Sequence, residues 1–261
     1  MKKNVLVIIL TSIVFLSSVF LGVATVYRVD AVLVETQIVT QAAEEEAESL
    51  QKQLLDAYDK KSYFSVDDKK AKEIVAQFPY FRLVSFKKSS PNRIIVKVAE
   101  DEEVYAVAVA GEENRYYILN DSGAVLGERE SYANRLDGEN NLLIKGLNVT
   151  GSQDGKLVGD DTWEYVLSLC KSLSKELGGI RRNVTSVEVL KLTDTIVRIT
   201  MREGVKIYVG NPNKEAEAKA KAAVETYLGL SDEERITGRI AVSDNNGELV
   251  IGYAKKDEFE F

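Results

Sequence analysis

Few side chains in this sequence could do chemistry, and their spacing decides most of what they can be. Histidine is absent and Cys170 is the single cysteine. That removes Cys/His zinc sites, thiol pairs and every triad that needs a histidine base. Ser172 and Lys175 stand one helical turn apart, the spacing of an ordinary helix surface and not of an activated nucleophile. Carboxylates sit side by side at Asp67-Asp68 and Asp160-Asp161, each just before a helical pattern, where capping and the helix dipole account for them without acid–base work. The stretch from Gly146 to Gly159 carries glycines, but no strand-to-helix context aims their amides at a phosphate, so it is expected to be a flexible loop. Cys170 lies on the apolar face of a predicted helix, where cysteine acts as a small buried hydrophobe. Asn148-Val149-Thr150 and Asn183-Val184-Thr185 fit glycosylation sequons. No catalytic, metal-ligating or cofactor-binding residue is assigned, and the expectation is a protein that works by binding.

The elements that would position a binding surface follow from patterning. A net charge of −7 is spread along the chain, with no basic stripe beyond pairs such as Lys69-Lys70 and Lys87-Lys88. A nucleic acid backbone would meet mainly repulsion. After a short tail, residues 1–4, the segment 5–27 holds no charge and is expected to form a transmembrane helix, being long enough for a hydrocarbon core of about 30 Å. Lys2 and Lys3 precede it, so the positive-inside rule leaves the amino terminus in the cytoplasm and sends the rest outside. The competing reading is a cleaved signal peptide, for which Gly22-Val23-Ala24 offers a small-x-small site.

Beyond the anchor, the β-branched run from Val29 to Val39 predicts a strand. Ala43, Ala47, Leu50, Leu54, Ala57 and Tyr58 recur at helical spacing over 42–58. A second helix is expected over about 68–77 with Asp67 as N-cap, then strands at 81–88 and 93–100 joined by Ser89-Ser90-Pro91-Asn92. This is a β-α-α-β-β module over 28–100. Residues 101–254 predict a second, mixed α/β sheet domain, followed by a short charged tail at 255–261. Its strands are expected at 104–110, 115–119, 142–147, 186–190, 195–201, 205–209, 240–243 and 248–254. A helix opens at a capping box in Asp161-Thr162-Trp163-Glu164, buries Trp163, Val166, Leu167, Cys170 and Leu173, and ends at Gly178-Gly179. Another helix covers about 214–228, and Asn246-Gly247 marks a two-residue hairpin turn. The fold class expected is α+β with a single N-terminal transmembrane helix.

Phe64-Ser65-Val66-Asp67, Pro79, Pro91-Asn92 and then Ile94, Val96, Val98 and Glu100 resemble the POTRA module of the FtsQ/DivIB bacterial cell-division proteins. Tyr117-Ile118-Leu119-Asn120-Asp121-Ser122-Gly123 is similar to the strand and turn that open that family's second, β-domain, and Arg239-Ile240-Ala241-Val242-Ser243 falls where the family has a late strand. The resemblance covers nearly the full length and rests on the order of short motifs. It implies a bitopic divisome scaffold, non-enzymatic, in the cell membrane and enriched at the septum. It would bind FtsB/DivIC-like and FtsL-like coiled-coil partners and support septum formation.

From the residues alone, the apolar run Glu248–Tyr253 reads equally as a sheet edge that accepts a partner strand or as a strand buried in the sheet. The resemblance implies the first, with a partner site at Leu249, Ile251 and Tyr253 and at Ile240 and Val242 on the neighbouring strand. Other readings of the whole chain are an envelope-anchored cell-wall hydrolase or sporulation factor, or a POTRA-type chaperone for exported chains.

Overall fold

The computed structural model describes residues 2–89, 91–133, 140–191, 194–245 and 247–255, without the side chains of 2–9, 24, 191 and 245. The chain divides into two compact units, Met1–Asp101 and Glu102–Phe261. The expected boundary between residues 100 and 101 stands one residue before this division. Ser90 of the expected turn, Asn246 and most of the 255–261 tail lie outside the described residues.

The first unit runs α1 (Lys2–Val26), β1 (Ala31–Glu35), α2 (Gln41–Tyr58), α3 (Lys69–Val75), β2 (Phe81–Ser89) and β3 (Arg93–Glu100). Its sheet has the order β1-β3-β2, with β1 parallel and β2 antiparallel to the central β3. The parallel step needs a crossover, which α2 and α3 supply. Ala43, Leu50, Leu54 and Tyr58 of α2 and Ala71, Ile74 and Val75 of α3 are buried with Val32, Ile94, Val96 and Val98 of the sheet. Two polar ties fix the helices. Glu100, at the end of β3, accepts hydrogen bonds from the Val39 amide (2.6 Å), the Thr40 amide (3.1 Å) and the Thr40 hydroxyl (2.6 Å), while Thr40 caps α2 at the Ala43 amide. The Tyr58 hydroxyl donates to the Asp67 carbonyl (2.8 Å) and accepts from the Ala71 amide (2.9 Å), holding the end of α2 against the start of α3. The N-cap position of α3 is Asp68, not Asp67, although Asp67 accepts from the Lys69 amide at 3.1 Å.

The expected transmembrane helix is corrected here. Among the described residues no helix is long and apolar enough to cross a membrane. The backbone of α1 is helical over Lys2–Val26. The single-pass placement in the cell membrane, with the cytoplasmic N-terminus and extracytoplasmic domains derived from it, falls with that span. The fold class is mixed α/β with large sheets.

The second unit runs β4 (Tyr105–Ala108), β5 (Tyr116–Leu119), β6 (Val125–Arg129), β7 (Leu142–Lys145), β8 (Gly151–Gln153), β9 (Lys156–Val158), α4 (Thr162–Leu177), α5 (Ile180–Asn183), β10 (Val184–Lys191), β11 (Thr195–Met201), β12 (Lys206–Gly210), α6 (Ala216–Gly229), α7 (Asp232–Thr237), β13 (Arg239–Asn245) and β14 (Glu248–Ala254). Nine strands form one sheet in the order β14-β13-β12-β11-β10-β7-β4-β5-β6. Alternate residues of its strands, among them Val107, Ile144, Val187, Val197, Ile199, Ile207, Ile240 and Val242, join one core with Val166, Leu169, Cys170 and Leu173 of α4 and Ala220, Ala223 and Val224 of α6. Helices therefore cover one face of the sheet. Leu169 takes the buried place expected of Leu167, which packs at the margin, and α4 ends at Gly178 in the left-handed region (φ 67°).

Two expectations for this unit change. The stretch 146–159 contains a hairpin, β8 against β9, closing on Asp154 (φ 50°) and Gly155 (φ 72°), the pair of positive φ values that a type I′ turn demands. Gly146 belongs to the packing as well: a Cβ there would stand 2.1 Å from the Val189 carbonyl oxygen. The expected capping box at Asp161 is not made. Asp160 does that work one residue earlier, accepting from the Thr162 amide at 3.0 Å and from the Asn148 amide at 2.7 Å.

Candidate functional site at the edge of the large sheet

The groups that could have done chemistry are all engaged structurally. The Ser172 hydroxyl donates to the Ser168 carbonyl within its own helix, and Lys175 pairs with Glu217 at 2.7 Å, so no serine–lysine dyad forms. That pairing holds the Glu217 carboxyl below its usual range and raises Lys175. Cys170 is fully buried, and burial pushes its thiol up to about 12, the opposite of the electropositive surroundings that activate a cysteine. Among the described residues no three or more His, Cys, Asp or Glu side chains converge as metal ligands.

What remains is main chain. Strand β14 pairs with β13 in unbroken antiparallel register from Arg239↔Ala254 to Asn245↔Glu248, and is the last strand of the sheet on that side. Two residues separate the strands, and in such a hairpin the closing pair exchanges both hydrogen bonds. By alternation, Glu248, Val250, Gly252 and Ala254 turn their amides and carbonyls toward β13. Leu249, Ile251 and Tyr253 turn theirs outward, where none of the described strands lies.

The side chains follow the same alternation. Ile240↔Tyr253, Val242↔Ile251 and Asp244↔Leu249 face the helix side. Ile240 and Val242 are core residues beneath it, beyond the reach of a docked strand. Leu249 and Ile251 stay 37% and 47% exposed, because the helix layer packs mainly on β13 and touches β14 only at its margin. Tyr253 packs against the core margin, its ring so close to Gly238 that a Cβ there would lie 2.7 Å from it. The structure thus brings all five expected residues onto one hairpin and divides them: two line an exposed strip, one borders it, and two support it from within. Val250, 48% exposed on the opposite face, belongs to the same edge. Alternation along an edge strand could have found it, since both faces of such a strand meet a docked neighbour.

Near the hairpin tip the strip continues into a groove of about 880 Å³ lined by Tyr165, Ser172 and Glu176 of α4, Glu217 and Lys221 of α6, and Leu249. The arrangement offers outward backbone donors and acceptors, apolar side chains flanking them and a shallow acidic groove at one end. That set suits capture of an extended peptide. The sequence matches no protein-family model and no curated protein.

Proposed function

We propose that this protein is a non-enzymatic docking scaffold whose β14 edge takes up an extended segment of a partner as an additional strand. The single observation that carries this reading is the outward-facing main chain of Leu249 and Ile251 on the last described strand of the sheet, flanked by exposed apolar side chains. An edge of that kind is a liability that proteins ordinarily blunt, and leaving it open is accounted for by a strand that covers it in use. The ordered resemblance to the FtsQ/DivIB proteins supplies the partner class: FtsB/DivIC-like and FtsL-like coiled-coil proteins of bacterial cell division, with assembly of the division machinery and septum formation as the role.

The test is amide hydrogen exchange on the full chain with and without purified DivIC-like and FtsL-like proteins. Strand addition slows the amides of Leu249 and Ile251, which point away from β13, and leaves those of Val250 and Gly252 nearly as before. Ile251→Pro removes one outward donor without touching the β13 ladder and abolishes capture. A complex that forms equally well with Ile251→Pro, or whose protection maps away from β14, would overturn the proposal.

A further inference from the structure

Strand β13 extends past its neighbour. Its ladder with β12 runs from Lys206↔Arg239 to Val209↔Val242, whereas its ladder with β14 continues through Ser243, Asp244 and Asn245. The outermost part of the hairpin, including Leu249 and Val250, therefore projects beyond the last main-chain pair with the rest of the sheet. Where that ladder stops stands Lys219. Its side chain is 0% exposed, the one fully buried cationic side chain among the described residues, in the first turn of α6. A cation in a helix's first turn opposes the helix dipole, and burying one is costly unless it is fully partnered. Its Nζ donates to the carbonyls of Gly210 (3.0 Å) and Asn211 (2.9 Å) at the end of β12, and reaches Asp244 Oδ2 on the projecting part of β13 at 3.5 Å.

We infer that Lys219 is a positioning residue for the docking edge: it carries the β12–β13 connection past the end of the main-chain ladder and fixes the projecting hairpin that presents Leu249 and Val250. Its use in docking rests on the function proposed above; the anchoring itself does not. An edge strand held in one conformation before a partner arrives saves the ordering entropy that a fraying hairpin would lose on binding.

The experiment is amide exchange on the free full chain, so it needs no partner. In Lys219→Met the amides of Val250 and Gly252, which face β13, exchange at least tenfold faster, while those of Val197 and Ile199 in β11 keep their rates. Asp244→Asn, at a partly exposed site, keeps the fold and speeds the same two amides by a smaller factor. If purified DivIC-like protein is captured, its affinity falls in the same order: wild type, Asp244→Asn, Lys219→Met. Unchanged exchange in both variants, or a rise spread evenly over β11 to β14, would overturn the assignment, the latter marking Lys219 as a support of the whole unit. Loosening confined to the hairpin with no capture of any partner would leave the anchoring in place and count against the docking function alone.

Discussion

Strands β6 and β14 end the same nine-stranded sheet, and the chain treats the two edges in opposite ways. At β6 the register with β5 is broken by an irregularity between Ile118 and Leu119. The Val125 amide is taken by the Gly155 carbonyl at the tip of the β8–β9 hairpin (2.8 Å). Leu126 is buried, and Glu128 is ion-paired to Arg115, which also holds Glu112. A bulge, a covering hairpin and charge are the usual means of making an edge unfit for pairing. Among the described residues β14 has neither a bulge nor a covering hairpin: its register is continuous, and Leu249, Val250 and Ile251 are exposed in succession. Among the described residues the means of closing an edge are spent at β6, a contrast that fits the docking use proposed for β14.

The comparison can be broken most forcefully through packing. Leu126→Ala removes a buried side chain and costs about 2–5 kcal/mol of stability, whereas Ile251→Ala stays within about 0.5 kcal/mol. Urea unfolding of both variants checks this. Equal losses would mean that Ile251 is covered in the free chain and that β14 is not an open edge.

How far this contrast could be read in advance varied with the kind of signal. The β13–β14 hairpin was legible because Asn246-Gly247 and the alternation of Leu249, Ile251 and Tyr253 are local. The buried stripe of α4 was legible because Trp163, Val166, Cys170 and Leu173 recur at helical spacing. The closed edge was not: Val125-Leu126-Gly127-Glu128-Arg129 has two apolar residues and a glycine, too little for a strand pattern, and β8 and β9 are three-residue strands of mostly polar composition. They become strands through what they pair with. Helix α7 was missed for a related reason. It buries nothing, and its one local mark is the Ser231/Glu234 capping box. Lys219 sits among alanines, a lysine ordinarily faces solvent, and only the end of β12 gives its side chain a reason to be buried.

A second way to sharpen the comparison is to transplant the guard. Val250→Lys with Ile251→Lys places on β14 the charge that edge strands use against pairing. Partner affinity falls at least about tenfold, worth about 1.4 kcal/mol. The unfolding midpoint stays close to wild type, because both side chains are exposed. Titration of the variant with a DivIC-like protein by calorimetry, alongside a thermal melt, separates the two effects. Undiminished affinity would move the docking surface elsewhere.

The smallest effect concerns the charge on the closed edge. Hydrogen bonding from Arg115 holds the Glu128 carboxyl below its ordinary value of 4.5, and the Arg115 charge acts in the same direction. A carboxyl whose folded value is depressed adds stability that is fully present above its unfolded value and is lost as pH falls through the folded one. The window for Glu128 therefore opens below 4.5. Because the pair is exposed and screened, the contribution is slight. Glu128→Gln should accordingly unfold slightly before wild type at pH 7, and the difference should shrink as pH falls below 4.5 and the wild-type carboxyl protonates. Losing that charge does not open the edge, since the Val125–Gly155 hydrogen bond and the register irregularity do not titrate. Self-association of the full chain in acid, followed by sedimentation velocity, should then proceed through β14 and be suppressed by Val250→Lys with Ile251→Lys. Association that persists in that variant at pH 3 but not at pH 7 would show that charge, and not the hairpin, keeps β6 closed.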